Sequence, residues 1–383
     1  MFTPRPYQVD AVNSALEYFH GPSTRHAFEI LPTGSGKSVV ISNITKELKT
    51  KTLVFQPSKE ILEQNYAKYA AYGFRAGIYS ASLNTKHVDD VTFATIGSVA
   101  KRAYLFRDFK NVIIDECHLV NPADGMYQSF LSRIRGCKIL GLTATPYRLV
   151  SAGFNGVQLK LINNTFPRIF SDCLYYIQNN VLFDAGHLAK LRYFSFNEID
   201  RNALLLNGDG SDFNEASMAA FSRENNMGSK LIAYTNKILT QRQNALVFCS
   251  CISEANTVVR GIPGAEIVTG MTEQNERSRI LNNFKAGRTK CLVNVGVLTT
   301  GFDYPALESV IIGRPTMSLS LFYQIVGRVM RPHKDKDCGW VVDLCGNIDF
   351  FGKIETMKIR EIDGQLSVWN EGRRLTDVEL TKN

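Results

Sequence analysis

Long apolar runs are missing from this 383-residue sequence. No stretch approaches the roughly 20 consecutive apolar residues that a membrane-crossing helix needs, so the sequence predicts no membrane partner. The opening residues 1–6 also lack the apolar core of a signal peptide. We therefore expect a cytoplasmic protein.

Cysteine pairs with the C-x-x-C spacing of a zinc ribbon are missing as well. The eight cysteines are scattered and none forms a C-x-x-C pair, which leaves a zinc ribbon without ligands. Several lie in apolar runs and are expected to be buried, reduced thiols. Low-complexity tracts are also absent, and 44% of the residues are hydrophobic, which excludes wholesale disorder. At roughly 150 residues per domain, the length suits two or three domains.

Basic residues are in excess over acidic residues. The formal net charge is +8 and the isoelectric point is about 9.0. This balance favours a polyanionic partner such as nucleic acid, although many basic proteins bind none.

Short apolar runs alternate with longer amphipathic runs along most of the chain. In the first half they predict strands over 27–31, 52–56, 77–79, 91–95, 112–115 and 139–142, and helices over 8–19, 37–49, 59–72 and 125–135. In the second half they predict strands over 245–249, 266–269, 291–295, 310–313 and 340–344, and helices over 253–260, 273–286 and 320–330. The strands are apolar on both faces, which is typical of parallel sheets covered by helices on both sides.

We therefore predict an α/β fold with two domains of similar plan. The predicted bounds are 1–185 and 186–350, followed by a C-terminal tail over 351–383. Residues 147–240 are rich in Asn, Asp and Gly, and they are expected to be irregular and to contain the joint.

A phosphate-binding loop is predicted between the first strand and the next helix. The segment 31–38, Leu-Pro-Thr-Gly-Ser-Gly-Lys-Ser, is one glycine short of the pattern G-x-x-x-x-G-K-[ST]. Its candidate nucleotide-binding residues are Thr33, Gly34, Ser35, Gly36, Lys37 and Ser38. Backbone N–H groups and the helix N-terminus attract phosphates, Lys37 reaches the outer ones, and Ser38 can ligate magnesium.

Two adjacent acids, Asp115 and Glu116, end an apolar run 78 residues after Lys37. Asp115 is the second magnesium candidate, and Glu116 the group that polarises the attacking water. Taken alone, the two acids could simply be solvent-exposed residues where the chain turns after a strand. His118, Thr143 and Thr145 are neutral polar side chains that can relay a change at the phosphates to a distant surface.

Two further clusters carry weaker signals. Arg5 and Gln8 precede the first helix, where the amide can pair with an adenine edge and the guanidinium can stack on the ring. A plain helix start is the alternative. Arg328 and Arg331 are three residues apart on a predicted helix and so share one face, which by itself could be solvated surface.

Nine motifs occur in an order that resembles superfamily 2 helicases and translocases. They are 5–8, 31–38, 56–60, 95–98, 115–118, 143–146, 245–250, 299–303 and 324–331. Within that superfamily, 140–146, 292–303 and 323–328 most resemble bacterial DNA-repair helicases of the RadD type. Those chains continue into a cysteine-rich zinc region, before which this sequence stops.

The resemblance implies two RecA-like domains with ATP and magnesium in a cleft between them. Its implied catalytic residues are Lys37, Asp115, Glu116, Gln324, Arg328 and Arg331, the two arginines acting as fingers toward the γ-phosphate. Gly301 and Asp303 are implied to meet the nucleotide. The implied nucleic-acid contacts are Pro57, Ser58 and Thr95 in the first domain and Ser250, Thr269 and Thr299 in the second. They are phosphate contacts, which carry no sequence information.

The expected function is ATP-driven unwinding of, or translocation on, nucleic acid in repair, recombination or replication. The Asp-Glu-Cys-His and Thr-Ala-Thr segments favour DNA over RNA. An ATP-gated clamp or annealing factor and an RNA helicase remain alternatives. We expect a monomer of bacterial or phage origin, with other replication or repair proteins as possible partners.

Overall fold

A computed structural model describes residues 3–151, 157–208 and 210–380. The helices are α1 (Pro6–His20), α2 (Lys37–Leu48), α3 (Lys59–Ala71), α4 (Ile96–Val99), α5 (Met126–Leu131), α6 (Asn179–Asp184), α7 (Glu215–Glu224), α8 (Met227–Leu239), α9 (Ile252–Gly261), α10 (Gln274–Lys285), α11 (Leu319–Val326) and α12 (Asn347–Phe351). The strands are β1 (Ala27–Ile30), β2 (Thr52–Phe55), β3 (Gly77–Ser80), β4 (Thr85–Lys86), β5 (Val91–Ala94), β6 (Asn111–Asp115), β7 (Lys138–Thr143), β8 (Tyr147–Ser151), β9 (Val157–Leu161), β10 (Asp172–Tyr176), β11 (Leu191–Ser195), β12 (Ala245–Phe248), β13 (Glu266–Val268), β14 (Cys291–Asn294), β15 (Ser309–Ile312), β16 (Gly339–Asp343), β17 (Lys358–Ile362), β18 (Gln365–Asn370), β19 (Arg373–Arg374) and β20 (Glu379–Leu380).

The chain forms two compact units. Unit 1 comprises Met1–Arg148 and Leu161–Ile177, and unit 2 comprises Leu149–Lys160 and Gln178–Asn383. The change of unit at Ile177 lies a few residues before the predicted domain bound at 185.

Unit 1 contains an eight-stranded sheet in the order β10-β1-β7-β6-β2-β5-β3-β4. Its pairs are parallel except for β3 with β4. The strands β1, β2, β5 and β6 are buried along their whole length, as their continuous apolar sequences predict. Edge-to-face contacts join Phe55 to Phe130 at 5.3 Å and Phe106 to Phe130 at 5.9 Å, and these rings form part of the core.

The strand order brings three chain segments together in unit 1. β7 lies between β1 and β6, with Ile30 opposite Thr143 and Asp115 opposite Leu142. Parallel neighbours have their carboxyl ends at the same edge of the sheet. The segments that follow β1, β6 and β7 therefore lie side by side.

Unit 2 contains a six-stranded, entirely parallel sheet in the order β11-β16-β15-β12-β14-β13. The neighbours β13, β14 and β12 end at one edge, where residues 269, 299 and 250 follow them. Smaller sheets pair β17, β18 and β19 with one another and β20, β9 and β8 with one another.

The described part of the segment predicted as a tail over 351–383, residues 351–380, is folded. Asn370 Nδ2 donates to the Phe351 carbonyl at 2.7 Å, and the Gln178 side chain exchanges two hydrogen bonds with the Ile359 backbone, at 2.7 and 2.9 Å. The Phe351 ring stacks on Phe322 of α11 at 5.5 Å. The described part of this segment is therefore attached to the rest of unit 2 by buried and hydrogen-bonded contacts.

The prediction that 147–240 is irregular was wrong, because its described residues include α6, α7, α8 and strands β8 to β11. The strands β10 and β11 lie at sheet edges, and none of their residues is fully buried. Edge strands lack the continuous apolar sequence that identifies central strands. The strands β10 and β11 were therefore not predicted from the sequence.

Candidate functional site

The loop between β1 and α2 depends on two glycines. Gly34 and Gly36 have φ angles of +85° and +86°, in the left-handed region that glycine adopts without steric cost. A Cβ atom on Gly36 would lie 2.5 Å from Gln8 Nε2, so any side chain there would displace the Gln8 amide. The backbone conformation therefore favours glycine at position 36, and the contact with Gln8 adds to that preference.

Gln8 holds this loop from α1. Its Nε2 donates to the Ser35 carbonyl at 2.7 Å, and its Oε1 accepts from the Arg5 backbone N–H at 2.9 Å. The Tyr7 hydroxyl donates to the same Ser35 carbonyl at 2.7 Å, and Arg5 Nη1 donates to that hydroxyl at 3.2 Å. Gln8 is 2% exposed, so its contact in this structure is with the loop, and the adenine contact stays a prediction.

Lys37 and Glu116 form an ion pair across the ends of β1 and β6. Lys37 Nζ lies 3.2 Å from Glu116 Oε1, and both side chains are largely buried. Glu116 has a φ angle of +50°, a left-handed conformation that costs a non-glycine residue about 1–2 kcal/mol. This backbone geometry directs the carboxylate to the lysine of the loop.

Asp115 is buried beside this pair. The Glu116 backbone N–H donates to Asp115 Oδ1 at 3.0 Å, and Asn65 Nδ2 donates to Oδ2 at 3.4 Å. Burial, followed by the charge of Glu116, raises the pKa of Asp115 to about 7. A cation bound at this carboxylate would favour its ionised form.

The donor set at this position fits magnesium. The Asp115 carboxylate and the Ser38 hydroxyl offer hard oxygen ligands, and Mg²⁺ binds proteins through one or two such groups while keeping several waters. Ser38 is the second residue of α2 and follows Lys37 directly. The loop and the end of β6 thus supply oxygen ligands of the kind a magnesium–nucleotide complex needs.

His118 connects the acids to the end of β7. Its Nδ1 lies 2.8 Å from Thr143 Oγ1, 3.3 Å from Thr145 Oγ1 and 3.4 Å from Glu116 Oε2. Burial lowers the pKa of His118 to about 4, so the imidazole is neutral near pH 7. The structure therefore brings together the residues predicted to relay changes at the phosphates, although the relay itself stays a prediction.

The predicted arginine fingers lie in a second cluster, within unit 2. Arg328 Nη1 donates to the Phe302 carbonyl at 2.6 Å, and Arg328 Nε donates to the Gln324 carbonyl at 3.2 Å. Arg331 forms an ion pair with Asp303. Gly301 has a φ angle of +72°. The segments around 301–303 and 324–331 are therefore neighbours, as the motifs predict.

The prediction that Arg328 and Arg331 lie on a helix was wrong. α11 ends at Val326, and the chain continues in tighter turns, with the Arg328 N–H bonded to the Ile325 carbonyl at 3.1 Å. The guanidinium groups are held by contacts with the 302–303 segment and not by a shared helical face.

The predicted nucleic-acid contacts lie at the carboxyl ends of strands, and several have local structural roles. Ser58 caps α3 by accepting from the Ile61 N–H at 3.3 Å, and Thr95 Oγ1 lies 2.8 Å from Ser98 Oγ. Ser250 Oγ donates to Glu254 at 3.1 Å and to the Gly313 carbonyl at 3.2 Å.

The remaining three contact candidates follow the same pattern. Thr269 Oγ1 accepts from the Met271 N–H at 3.2 Å, while Pro57 and Thr299 are partly exposed after β2 and β14. Contact with nucleic acid stays a prediction for all six residues.

Sequence reasoning missed two partners of the site. Asn65 on α3 holds Asp115, and its Nδ2 also donates to Gln56 Oε1 at 2.8 Å. Asp303, predicted only to meet nucleotide, is also the partner of Arg331. No local pattern connects residues 65 and 115, which are 50 positions apart, so only the fold reveals that contact.

Throughout the described ranges, the candidate site included, no three His, Cys, Asp or Glu side chains cluster closely enough to hold a metal. None of the helices over those residues has both the length and the apolar character to cross a bilayer.

Two domain models match the sequence. Residues 1–148 match the model described as type III restriction enzyme, res subunit, and residues 229–333 match the helicase conserved C-terminal domain. The matches cover the loop and the Asp115–Glu116 pair in unit 1, and the arginine cluster in unit 2.

Several known proteins resemble the chain over most of its length. A 51.5 kDa protein of a Lactococcus phage is 28% identical over 308 residues, 78% of this chain and 61% of the relative. The DNA 3'-5' translocase XPB2 of Sulfurisphaera tokodaii is 27% identical over 368 residues, covering 87% of this chain and 79% of that protein. The chain spans 51% to 61% of the length of the first three curated relatives that it matches.

A solved structure supports the fold. The ATP-dependent Type ISP restriction-modification enzyme LlaBIII bound to DNA superposes with a TM-score of 0.65 at 17% identity, covering 89% of this chain and 27% of that one. Its likeness agrees with the predicted α/β fold of two RecA-like domains, which is confirmed, while the RadD-type likeness stays a prediction. The ordered motifs and the two domain matches show that this chain belongs to superfamily 2 of the helicases.

Proposed function

We propose that the chain is an ATP- and magnesium-dependent helicase or translocase that acts on DNA. The observation that carries the proposal is the ion pair of Lys37 with Glu116, at 3.2 Å, beside the buried carboxylate of Asp115. A phosphate-loop lysine and two strand-end acids are the groups that NTP hydrolysis needs in one place.

Each group has a proposed role. Lys37 leaves Glu116 and contacts the outer phosphates, which frees the Glu116 carboxylate to orient the attacking water. Ser38 and Asp115 hold magnesium, which neutralises charge on the phosphates when bound. Thr33, Gly34, Ser35 and Gly36 surround the phosphates, and Arg5 and Gln8 contact the base.

The arginine cluster has a proposed role in the same reaction. Gln324, Arg328 and Arg331 act on the γ-phosphate, and Gly301 and Asp303 meet the nucleotide from the same side. In this structure Arg331 pairs with Asp303, so the arginine must exchange that carboxylate for phosphate. Arginine fingers contribute about 10³–10⁵ in rate where they have been measured.

The preference for DNA rests on the sequence and on one relative. A net charge of +8 favours a polyanion, and the Asp-Glu-Cys-His and Thr-Ala-Thr segments favour DNA. The relative from Sulfurisphaera tokodaii is described as a DNA 3'-5' translocase. A cytosolic location, a monomeric state and protein partners in replication or repair are further parts of the proposal.

The test is the rate of ATP hydrolysis with single-stranded, duplex and forked DNA and with RNA. We expect DNA to stimulate hydrolysis more than RNA does, and Lys37→Ala to abolish the stimulated rate. Matched turnover in Lys37→Ala and the wild type would show that the site is misassigned.

A strand-displacement assay with forked duplexes separates unwinding from translocation. Stimulated hydrolysis without displacement indicates a translocase or clamp, and stronger stimulation by RNA contradicts the DNA assignment.

A further inference from the structure

The turn after β13 is fixed by hydrogen bonds. Thr269 Oγ1 accepts from the Met271 N–H at 3.2 Å, Thr272 Oγ1 accepts from the Thr269 N–H at 2.9 Å, and the Thr272 N–H donates to the Thr269 carbonyl at 3.2 Å. At the tip of this turn, the Met271 side chain is 84% exposed. The hydrogen-bonded turn therefore keeps a large apolar side chain exposed to solvent.

A single exposed methionine carries little information, because apolar side chains are common on protein surfaces. Here a second exposed apolar side chain occupies the corresponding position after β12, which is separated from β13 by β14 alone. Ile252 is 43% exposed and follows Ser250 by two residues, just as Met271 follows Thr269. Each exposed apolar side chain thus lies directly beyond a proposed phosphate contact.

These side chains share one edge of the unit 2 sheet. β13, β14 and β12 are parallel neighbours, so Thr269, Thr299 and Ser250 follow their carboxyl ends at the same edge. At two of these three positions, a proposed phosphate contact is therefore followed by an exposed apolar side chain. In the first turn of α10, Glu276 is paired with Arg279 at 2.7 Å, which weakens its repulsion of phosphates.

A single strand suits such an edge. Its phosphates and its unstacked bases both lie within reach of one surface, whereas a duplex hides the faces of its bases. A thioether packs favourably against any aromatic ring, with little dependence on which base is present.

We propose that Met271 contacts the face of a nucleobase in single-stranded nucleic acid, next to the phosphate at Thr269. This inference rests on the proposed function and adds a base contact, without sequence preference, to the phosphate contacts. It gives unit 2 a preference for single strands over duplex.

The experiment compares two activators of ATP hydrolysis, a deoxythymidine oligonucleotide and an abasic oligonucleotide of equal length. Methionine–aromatic contacts predict that the wild type reaches half-maximal stimulation at about 2- to 10-fold lower concentration of the base-containing strand. Met271→Ala should remove most of that difference by weakening only the deoxythymidine response. Met271→Leu, which keeps an apolar side chain but lacks the sulfur, should retain part of it.

Ile362→Ala is the matched control, because Ile362 is 50% exposed in unit 2 but lies on β17, in a separate sheet. It should behave as the wild type, and hydrolysis without nucleic acid should be equal in all four proteins. The inference is overturned if the wild type responds equally to both strands, or if Met271→Ala weakens both responses equally. A wild type that no nucleic acid stimulates would instead overturn the proposed function, and the inference with it.

Discussion

At the scale of single residues, Glu116 connects the parts of the unit 1 site. Its carboxylate lies 3.2 Å from Lys37 Nζ and 3.4 Å from His118 Nδ1. Because His118 is neutral near pH 7, Lys37 is the charged partner of Glu116 among these two contacts. Phosphates that attract Lys37 will therefore change the contacts of Glu116 and, through it, those of His118.

Glu116→Gln should bind ATP and fail to hydrolyse it. The substitution keeps the size of the side chain and one acceptor oxygen but removes the basic carboxylate, and general bases contribute about 10²–10⁴ in rate. Retention of labelled ATP and steady-state phosphate release measure the two properties separately. A variant that turns over ATP within a few-fold of the wild-type rate would show that another group orients the water.

Asp115 predicts how stability depends on pH without nucleotide. Its pKa is raised to about 7 in the folded protein, so between about pH 4 and pH 7 the folded state holds a proton that the unfolded state has lost. Wild-type stability should therefore fall relative to Asp115→Asn as the pH rises through this window, by at most about 1.4 kcal/mol per pH unit.

Urea unfolding of the two proteins at several pH values measures this difference. The comparison reports Asp115 together with its interaction with Glu116, since the other titrating groups are common to both proteins. Adding magnesium and ATP should narrow the gap above pH 7, because a bound cation favours the ionised carboxylate. A constant difference from pH 4 to pH 8 would mean that Asp115 titrates normally.

At the scale of elements, the loops after parallel strands carry the chemistry, and their backbones are specified by a few glycines. Gly36 combines a positive φ with close contact to Gln8 on α1. Gly73, after α3, has a similar φ of +81° but no atom within 4 Å of its absent Cβ. A substitution at Gly73 therefore bears only the free-energy cost of the backbone conformation, whereas one at Gly36 also bears the cost of the contact with Gln8.

Gly36→Ala should lose nucleotide binding, while Gly73→Ala should only lower stability, by about 1–2 kcal/mol. Both variants bear the same conformational cost, but only the first displaces Gln8 and, with it, the Ser35 carbonyl that Gln8 holds. Equilibrium binding of a fluorescent ATP analogue and thermal unfolding provide the two measurements. Equal nucleotide affinity in both variants would contradict the tether between Gln8 and the loop.

Central and peripheral elements differed in how far the sequence predicted them. β2 and β12 have continuous apolar sequences because both of their faces are buried, and both were predicted within a residue or two. β11 lies at an edge with mixed exposure, and β17 to β19 form a small antiparallel sheet with exposed residues. Such strands are stabilised by pairing with neighbouring strands. No local sequence periodicity indicates that pairing.

At the scale of the whole molecule, a net charge of +8 predicts strong dependence on salt. Cationic side chains that neutralise phosphates release counterions, so the DNA concentration for half-maximal ATPase stimulation should rise with salt, linearly on logarithmic axes. Hydrolysis without DNA should change much less and provides the control. A half-maximal concentration that did not change with salt would argue against binding through the phosphate backbone.

The sequence alone determined the local chemistry. A phosphate loop, a strand-end acid pair and an arginine motif are each defined by neighbouring residues, since loop conformation and strand burial depend mainly on short segments. Their order along the chain identified the superfamily.

Only the tertiary structure decided which distant groups meet. The contact of Asn65 with Asp115, the hold of Gln8 on Ser35 and the pairing of Arg331 with Asp303 join segments that no periodicity links. The same holds for the raised pKa of Asp115, which results from burial. Burial and pairing are properties of the packed sheets, because they depend on which strands become neighbours.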